Sequence, residues 1–297
     1  MERGLRILGG APLNCRHELL SEHWPVSPSA TGNAENVIAR NHVVLLGEQG
    51  PPMIFGHGYG TSQNMWRLVA PLFAGDHRVV LFDHVGSGDS DQNAYSRSKY
   101  DSLHGYADDL LEIIHSLDLR DVVYVGHSVS AMMGVLAAIA EPELFSRLIL
   151  VGPSPRYIND AGYEGGFEAA DVEALLDSLD ANYLGWASTM APVFMGNAER
   201  PELATELNDS FAKADPAVAR QFARVTFLSD LRSELTKVTT PTMIVQSTDD
   251  IVAPVAVGEF LQREIGGSTL VVLEADGHYV HLANPAKLAD TIRTFLP

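Results

Sequence analysis

Cysteine is almost absent from this sequence: the 297 residues include one, Cys15. A single cysteine cannot form a disulfide within the chain, so nothing in the sequence requires an oxidising compartment. The sequence also lacks an apolar run long enough to span a bilayer, and the stretch at residues 5–8 is too short and broken for a signal peptide. We therefore expect a cytoplasmic protein with no membrane partner.

Basic residues are scarce as well. The chain has 20 Lys and Arg against 38 Asp and Glu, a formal net charge of −18. Such a charge repels phosphate backbones, so a nucleic-acid partner is not expected. The simplest interpretation of the acidic surface is solubility.

The remaining composition is that of a globular protein, with 46% hydrophobic and 20% charged residues. This length suits one large α/β domain with an insertion, or two domains. Apolar, β-branched segments alternate with amphipathic helical patterns, including helices near 66–73 and 106–117, which predicts a mostly parallel sheet with helices on both faces. The predicted strands are residues 42–46, 53–55, 78–82, 122–125, 148–151, 242–246 and 269–273.

The alternation stops between residues 154 and 230, where four helical segments and no convincing strand follow one another. We interpret this segment as a helical cap inserted into an α/β core formed by residues 37–153 and 231–297. Residues 1–36 show no clean periodicity and are predicted to form a partly disordered extension. The predicted cap helices are residues 168–179, 182–190, 201–212 and 217–228.

The most informative stretch is a strand, sharp turn and helix around Ser128. The sequence Gly126-His127-Ser128-Val129-Ser130 differs from the nucleophile-elbow pattern G-x-S-x-G only at its last position, where serine is still small. Such a turn exposes the serine oxygen at the end of a strand, beside a helix N-terminus. Taken alone, the pattern is also compatible with a serine that caps a helix.

Two later loops supply the partners that a nucleophilic serine needs. Each follows a predicted strand; one carries Asp249 and Asp250, and the other carries His278. The chain order Ser, Asp, His is that of the α/β hydrolases. His281 and His127 are weaker candidates than His278, and the residues alone do not separate Asp249 from Asp250.

A glycine-rich loop after the second predicted strand, His57-Gly58-Tyr59-Gly60, is the candidate oxyanion loop. The backbone N–H groups of Tyr59 and Val129 would stabilise an oxyanion; the alternative is an ordinary strand–helix connection. The later Gly-x-Gly at 86–88 lacks the third glycine and the helix of a dinucleotide site, and we reject that function.

Several runs resemble the cap-bearing α/β hydrolases that include the bacterial energy-stress regulator RsbQ and the plant strigolactone and karrikin receptors. The resemblance extends from about residue 39 to the C-terminus. The matching runs are residues 81–88, 126–132, 154–160, 165–168 and 181–187.

The resemblance implies that the acid stands four residues before a proline, which selects Asp250 before Pro254. The family usually has Phe where this chain has Tyr59. Because the donor is a backbone N–H, activity should survive, and the added hydroxyl makes the pocket more polar. Apolar cap side chains are expected to line the substrate pocket, namely Tyr157, Phe167, Trp186, Met190 and Phe194.

The sequence therefore predicts a serine hydrolase that cleaves a small apolar ester or lactone, such as a butenolide. No metal or organic cofactor is expected, because Ser128, His278 and Asp250 supply the chemistry. Serine at the elbow argues against dehalogenase and epoxide hydrolase chemistry, whereas carbon–carbon hydrolysis and perhydrolysis remain open. The alternative is a ligand sensor whose slow hydrolysis controls binding of a protein partner through its cap.

Overall fold

The computed structural model describes residues 31–297, so Cys15 and most of the predicted extension lie outside the described residues. Seven strands form one sheet in the order β1-β3-β2-β4-β5-β6-β7. β1 is antiparallel to β3, and the other neighbouring pairs are parallel, which confirms the predicted mostly parallel sheet. The strands are β1 (Val44–Leu46), β2 (Pro52–Gly56), β3 (Arg78–Leu81), β4 (Val122–His127), β5 (Phe145–Val151), β6 (Thr242–Asp249) and β7 (Thr269–Asp276).

Helices cover both faces of the sheet, and each face has its own buried hydrophobic cluster. In the part of the chain described, none of them has the length and apolar character needed to cross a bilayer. The α-helices are α1 (Thr31–Arg40), α2 (Leu103–Ser116), α3 (Val129–Ala140), α4 (Ala169–Ala181), α5 (Tyr183–Met195), α6 (Pro201–Ala212), α7 (Pro216–Phe227), α8 (Val255–Glu264), α9 (Val280–Ala283) and α10 (Pro285–Arg293).

Two local predictions differ from the structure. The predicted helix near 66–73 is a pair of short 3₁₀ turns, Gln63–Trp66 and Ala70–Leu72, and Pro71 sits in the second one, where it cannot donate a helical hydrogen bond. The predicted boundary at residues 36 and 37 falls inside α1. This helix is ordered by tertiary packing, because Val37 is buried and Arg40 forms an ion pair with Asp109 of α2.

Four helices, α4 to α7, lie between β5 and β6, and we call residues 152–241 the insertion. Its two ends are joined by ion pairs. Arg156 contacts Asp230 at 2.9 Å, and Arg232 contacts Asp230 at 2.8 Å and Asp160 at 2.9 Å. The segment that follows β5 and the segment that leads back to β6 are therefore held together by these ion pairs.

β4 and α3 approach each other so closely that only glycine fits at their contact. A Cβ atom on Gly134 of α3 would lie 2.2 Å from the Tyr124 ring, and one on Gly126 would lie 2.7 Å from the Ser130 carbonyl oxygen. The Tyr124 hydroxyl donates to that same carbonyl at 3.0 Å. The turn between these elements carries Ser128, so this contact fixes where the serine is presented.

Gly134→Ala should therefore destabilise the fold, although alanine is the better helix former. The new methyl group must displace the fully buried Tyr124 ring, and such overpacking costs about 1–3 kcal/mol in the free energy of unfolding. Gly75→Ala is the control, because a Cβ there meets nothing within 4 Å. Urea titration of both variants tests this, and equal unfolding free energies for the two would contradict it.

Among the described residues, four histidines are at most 1% exposed: His57, His84, His127 and His281. Burial lowers the pKa of all four rings, and for His281 to about 3. These rings are neutral in the folded chain and take up protons near pH 6.5 when it unfolds. Below that pH the unfolded chain binds more protons, so their burial lowers stability as the pH falls, and for His281 this continues to about pH 3.

His281→Gln should remove part of this acid sensitivity. Between pH 7 and pH 5 the wild-type chain should lose about 2 kcal/mol more unfolding free energy than the variant, since one fewer buried group must stay neutral. His104→Gln, on the exposed side of α2, controls for loss of a solvated histidine. Parallel denaturant curves at the two pH values supply the comparison, and an equal loss in wild type and His281→Gln would refute it.

Candidate active site

Ser128 occupies the turn between β4 and α3 in a backbone conformation that is rare for a side chain. Its φ is 55° and its ψ is −124°, and its N–H donates to the Val151 carbonyl of β5 at 2.8 Å. Left-handed φ values for non-glycine residues cluster at functional sites because the surroundings must hold them there. The turn directs the serine away from the strand and places it at the N-terminus of α3.

The side chains of Ser128, His278 and Asp250 form one hydrogen-bonded chain. His278 Nε2 lies 2.8 Å from Ser128 Oγ, and His278 Nδ1 lies 2.7 Å from Asp250 Oδ2. A carboxylate can only accept, so Nδ1 carries the proton and Nε2 is free to accept from the serine hydroxyl. This is the tautomer that removes a proton from serine.

The second carboxylate oxygen of Asp250 is also hydrogen-bonded. Asp250 Oδ1 accepts from the N–H groups of Val252 and Ala253 at 2.8 and 3.1 Å. The neighbouring Asp249 ends β6 with an exposed side chain, so the structure pairs His278 with Asp250. The imidazole is thus oriented by a buried carboxylate that backbone donors hold in place.

All three side chains follow the carboxyl ends of parallel strands, β4, β6 and β7. The strand β5 ends among them at Val151, and an added Cβ on the next residue, Gly152, would lie 3.1 Å from His278 Cε1 and 3.7 Å from Asp250 Oδ2. Parallel strands place their carboxyl ends at one edge of the sheet, which explains why residues so far apart in sequence meet here.

The loop after β2 lies against Ser128. A Cβ on Gly58 would lie 2.6 Å from His127 Nδ1 and 3.4 Å from Ser128 Cβ. Among the described residues, neither the Tyr59 N–H nor the Val129 N–H has a hydrogen-bond acceptor. Two unpaired amides beside a serine, one of them at a helix N-terminus, can bind an oxyanion.

Ser130, the unusual last residue of the elbow, connects this turn to the loop after β2. Its hydroxyl donates to the His57 carbonyl and lies 2.6 Å from His84 Nε2. In the sequence Ser130 is notable only for its small size, and no motif marks His84 as a site residue. The available signal was position, because His84 also follows the carboxyl end of a strand.

His127, between Gly126 and Ser128, supports the loop after β7 that carries His278, which we call the histidine loop. Its Nε2–H donates to the His278 carbonyl at 2.9 Å, and its ring lies 4.4 Å from that of His281. Burial and the neighbouring histidines lower the pKa of His127 well below its ordinary value. Of the neighbouring rings His127, His278 and His281, the one hydrogen-bonded to a carboxylate is His278.

Aromatic side chains of the insertion pack against Tyr59, in the loop after β2. The Tyr59 ring lies 6.0 Å from Trp186 and 5.5 Å from Phe222, and its hydroxyl donates to the Ala219 carbonyl of α7 at 3.1 Å. Burial raises the pKa of Tyr59 well above its ordinary value, so the hydroxyl stays protonated as a donor. The loop that holds the Tyr59 amide is therefore attached to the insertion.

The five predicted pocket residues fall into two groups. Trp186 and Phe194 of α5 are buried and lie 6.2 Å apart, and Met190 between them is half-buried. Tyr157 is 1% exposed, and burial raises the pKa of its hydroxyl above the ordinary value. Phe167 is half-buried, and its N–H donates to the Tyr157 carbonyl at 3.1 Å.

Little of the site reaches solvent: Ser128 and His278 are each 4% exposed and Asp250 is 5% exposed. A low-dielectric environment strengthens the hydrogen bonds among them.

One cluster among the described residues could supply three metal-ligand atoms, from His42, Asp83 and Asp89. Its buried member, Asp83, already accepts from the N–H groups of Gln63 and Asp89 and from His42 Nδ1. Burial works against the charge of Asp83, but its hydrogen bond with His42 and these amides lower its pKa below the ordinary value. The cluster is thus satisfied as a loop-stabilising hydrogen-bond network.

Comparison with known proteins agrees with this geometry. A family model described as "alpha/beta hydrolase fold" matches residues 51–285. The chain is 39% identical to the strigolactone esterase D14 of Arabidopsis thaliana, over 88% of this chain and 98% of that protein. It is 37% identical to the karrikin insensitive 2 receptor CA of Petunia hybrida, over 82% of this chain and 91% of that protein.

A solved structure of similar sequence, the hydrolase olei00960 from Oleispira antarctica, superposes with a TM-score of 0.86. It is 39% identical, and the match covers 88% of this chain and 96% of that one. The resemblance to plant strigolactone and karrikin receptors is confirmed, and the chain belongs to the α/β-hydrolase family.

Proposed function

We propose that this protein is a serine hydrolase that cleaves a small apolar ester or lactone through an acyl-enzyme. The observation that carries the proposal is the hydrogen-bonded chain of Ser128, His278 and Asp250, with distances of 2.8 and 2.7 Å. The names of its relatives, which include an esterase, support ester cleavage.

In the first step Ser128 Oγ attacks the substrate carbonyl carbon while its proton moves to His278 Nε2. The carbonyl oxygen becomes an oxyanion and accepts from the Tyr59 and Val129 N–H groups, where one such donor is typically worth about 10²–10³ in rate. Asp250 stabilises the imidazolium. The tetrahedral intermediate then expels the alkoxide, which takes the proton from His278, and the acyl group stays on Ser128.

Water completes the cycle by the same route. His278 removes a proton from water, the hydroxide attacks the acyl carbonyl, and Ser128 regains its proton as the acid leaves. For a lactone the expelled alkoxide belongs to the same molecule as the acyl group, so ring opening releases a single hydroxy acid. No redox partner enters these steps.

We further propose that residues 154–230 act as a cap over a core of residues 37–153 and 231–297. The near-complete burial of Ser128 supports this role, because substrate must pass the insertion to reach it. The apolar rings of Tyr157, Trp186 and Phe194 favour an apolar substrate, while the Tyr59 hydroxyl adds one polar group to the wall. We assign substrate contact to these side chains and to Phe167 and Met190.

Ser128→Ala should reduce hydrolysis of p-nitrophenyl acetate to the uncatalysed background. Asp250→Asn should lower kcat by about 10⁴-fold, because an amide favours the wrong imidazole tautomer. Asp249→Asn is the matched control, since its exposed carboxylate makes no contact with His278, and it should keep wild-type turnover. The measurement is the steady-state kcat and KM of the three variants. Turnover that persists in Ser128→Ala would contradict the proposed nucleophile.

The second candidate function is a ligand sensor that signals to a protein partner through the insertion. The similarity to a karrikin insensitive 2 receptor favours it, and Leu184 and Val193 of α5 present large apolar side chains to solvent, at 59% and 42% exposure.

A sensor should hydrolyse a butenolide slowly and bind its partner only while the ligand is present. The test measures how much partner protein binds to the immobilised protein with and without a synthetic butenolide. The turnover number for that compound is measured alongside. Leu184→Asp should abolish ligand-dependent capture and leave turnover unchanged. Rapid turnover without any ligand-dependent capture would favour the enzyme over the sensor.

A further inference from the structure

The loop that carries His278 rests directly on the end of α5, in the insertion. The His278 N–H donates to the Phe194 carbonyl at 2.9 Å. Gly277 has φ +78°, and a Cβ on it would lie 1.9 Å from the Met195 carbonyl oxygen. Main chain from the insertion and main chain of the histidine loop are therefore in contact, with no side chain between them.

Asn197, just beyond α5, holds these two segments together. Its side-chain Nδ2 donates to the Met195 carbonyl at 2.9 Å and to the Asp276 carbonyl at 2.8 Å. Asp276 stands two residues before His278. Both amide protons are thus used, one on each side of the contact. Asn197 is 7% exposed and has φ +54°, a conformation that asparagine tolerates better than most residues.

Arg200 fixes the orientation of this amide. One guanidinium nitrogen of Arg200 donates to Asn197 Oδ1 at 2.5 Å, and another donates to the Ala283 carbonyl at the end of α9 at 2.9 Å. Because the oxygen of the amide must face a donor, its nitrogen must face the two carbonyls. The insertion is thereby attached to the chain both before and after His278.

We propose that Asn197 is a positioning residue for His278, which makes the alignment of the imidazole with Ser128 depend on the seated position of the insertion. The proposal rests on the proposed function, in which His278 is the general base. A displaced α5 would carry the Phe194 and Met195 carbonyls away from the histidine loop. The serine would then lose its base at the moment when the site is open to water.

The test compares two side-chain amides, those of Asn197 and Gln221, each of which donates hydrogen bonds to two main-chain carbonyls. Gln221 of α7 also donates to two carbonyls across the boundary between insertion and core, those of Arg97 at 2.7 Å and Tyr100 at 2.9 Å. It lies away from the histidine loop. Asn197→Asp and Gln221→Glu each replace the two donors by an acceptor of nearly the same shape, and Asn197→Gly removes the side chain while allowing the positive φ.

Both Asn197 variants should lower kcat for p-nitrophenyl acetate by at least about 10-fold with KM within about twofold, since small misplacement of a reacting group is costly. Gln221→Glu should retain the wild-type kcat. Wild-type kcat in both Asn197 variants would overturn the proposal, and so would an equal loss of kcat in Gln221→Glu.

A substrate-free measurement separates this proposal from the proposed function. The proton between His278 Nδ1 and Asp250 gives a downfield proton resonance in the NMR spectrum, and it should broaden or disappear in both Asn197 variants but not in Gln221→Glu. Wild-type protein without esterase turnover would end the proposed function and leave this readout valid. An unchanged resonance in Asn197→Gly and Asn197→Asp, with thermal stability as the only change, would refute the positioning role.

Discussion

The structure depends on one constraint, the close contact of β4 with α3 that holds Ser128 in a left-handed conformation. A non-glycine residue in a sparsely populated φ/ψ region costs about 1–3 kcal/mol, which the surrounding packing must offset. Gly126 and Gly134 allow the contact, and the buried Tyr124 ring fills the space that they leave. Everything else at the site is arranged around the oxygen that this turn presents.

The insertion takes part in that arrangement through more than its apolar side chains. On one side of Ser128 the Tyr59 hydroxyl binds the main chain of α7, and on the other side the Phe194 carbonyl binds the main chain at His278. The loop that carries Tyr59 and the loop that carries His278 are therefore both attached to the insertion. Under the proposed function, closure of the insertion and assembly of the active site are one event, which keeps the acyl-enzyme from meeting bulk water early.

Much of this could be predicted from the sequence because it follows from local patterns. The sheet could be predicted from the β-branched strands. The meeting of Ser128 and His278 at one edge could be predicted from the small residues of the elbow and from the order of these two residues along the chain. The choice of Asp250 over Asp249 needed a family resemblance, since both follow the same strand and only the fold shows which one faces the imidazole.

The contacts that the sequence did not reveal are those made by main-chain groups or by single polar side chains. Asn197 has no motif, and its role depends on two carbonyls from segments some 80 residues apart, one of them in the histidine loop. The sequence predicts one helix near residues 66–73, whereas the structure has two 3₁₀ turns there, with Pro71 in the second. Long-range hydrogen bonds and tertiary packing decided these cases.

The distance in sequence between Ser128 and its partners also has a consequence for biosynthesis. His278 lies in the loop after β7, the last strand, which pairs only with β6 at the edge of the sheet. A ribosome-bound chain that has already folded β2, β4 and α3 holds the serine without its base. The nascent chain therefore holds Ser128 without its hydrogen bond to His278 until the final strand has emerged and docked.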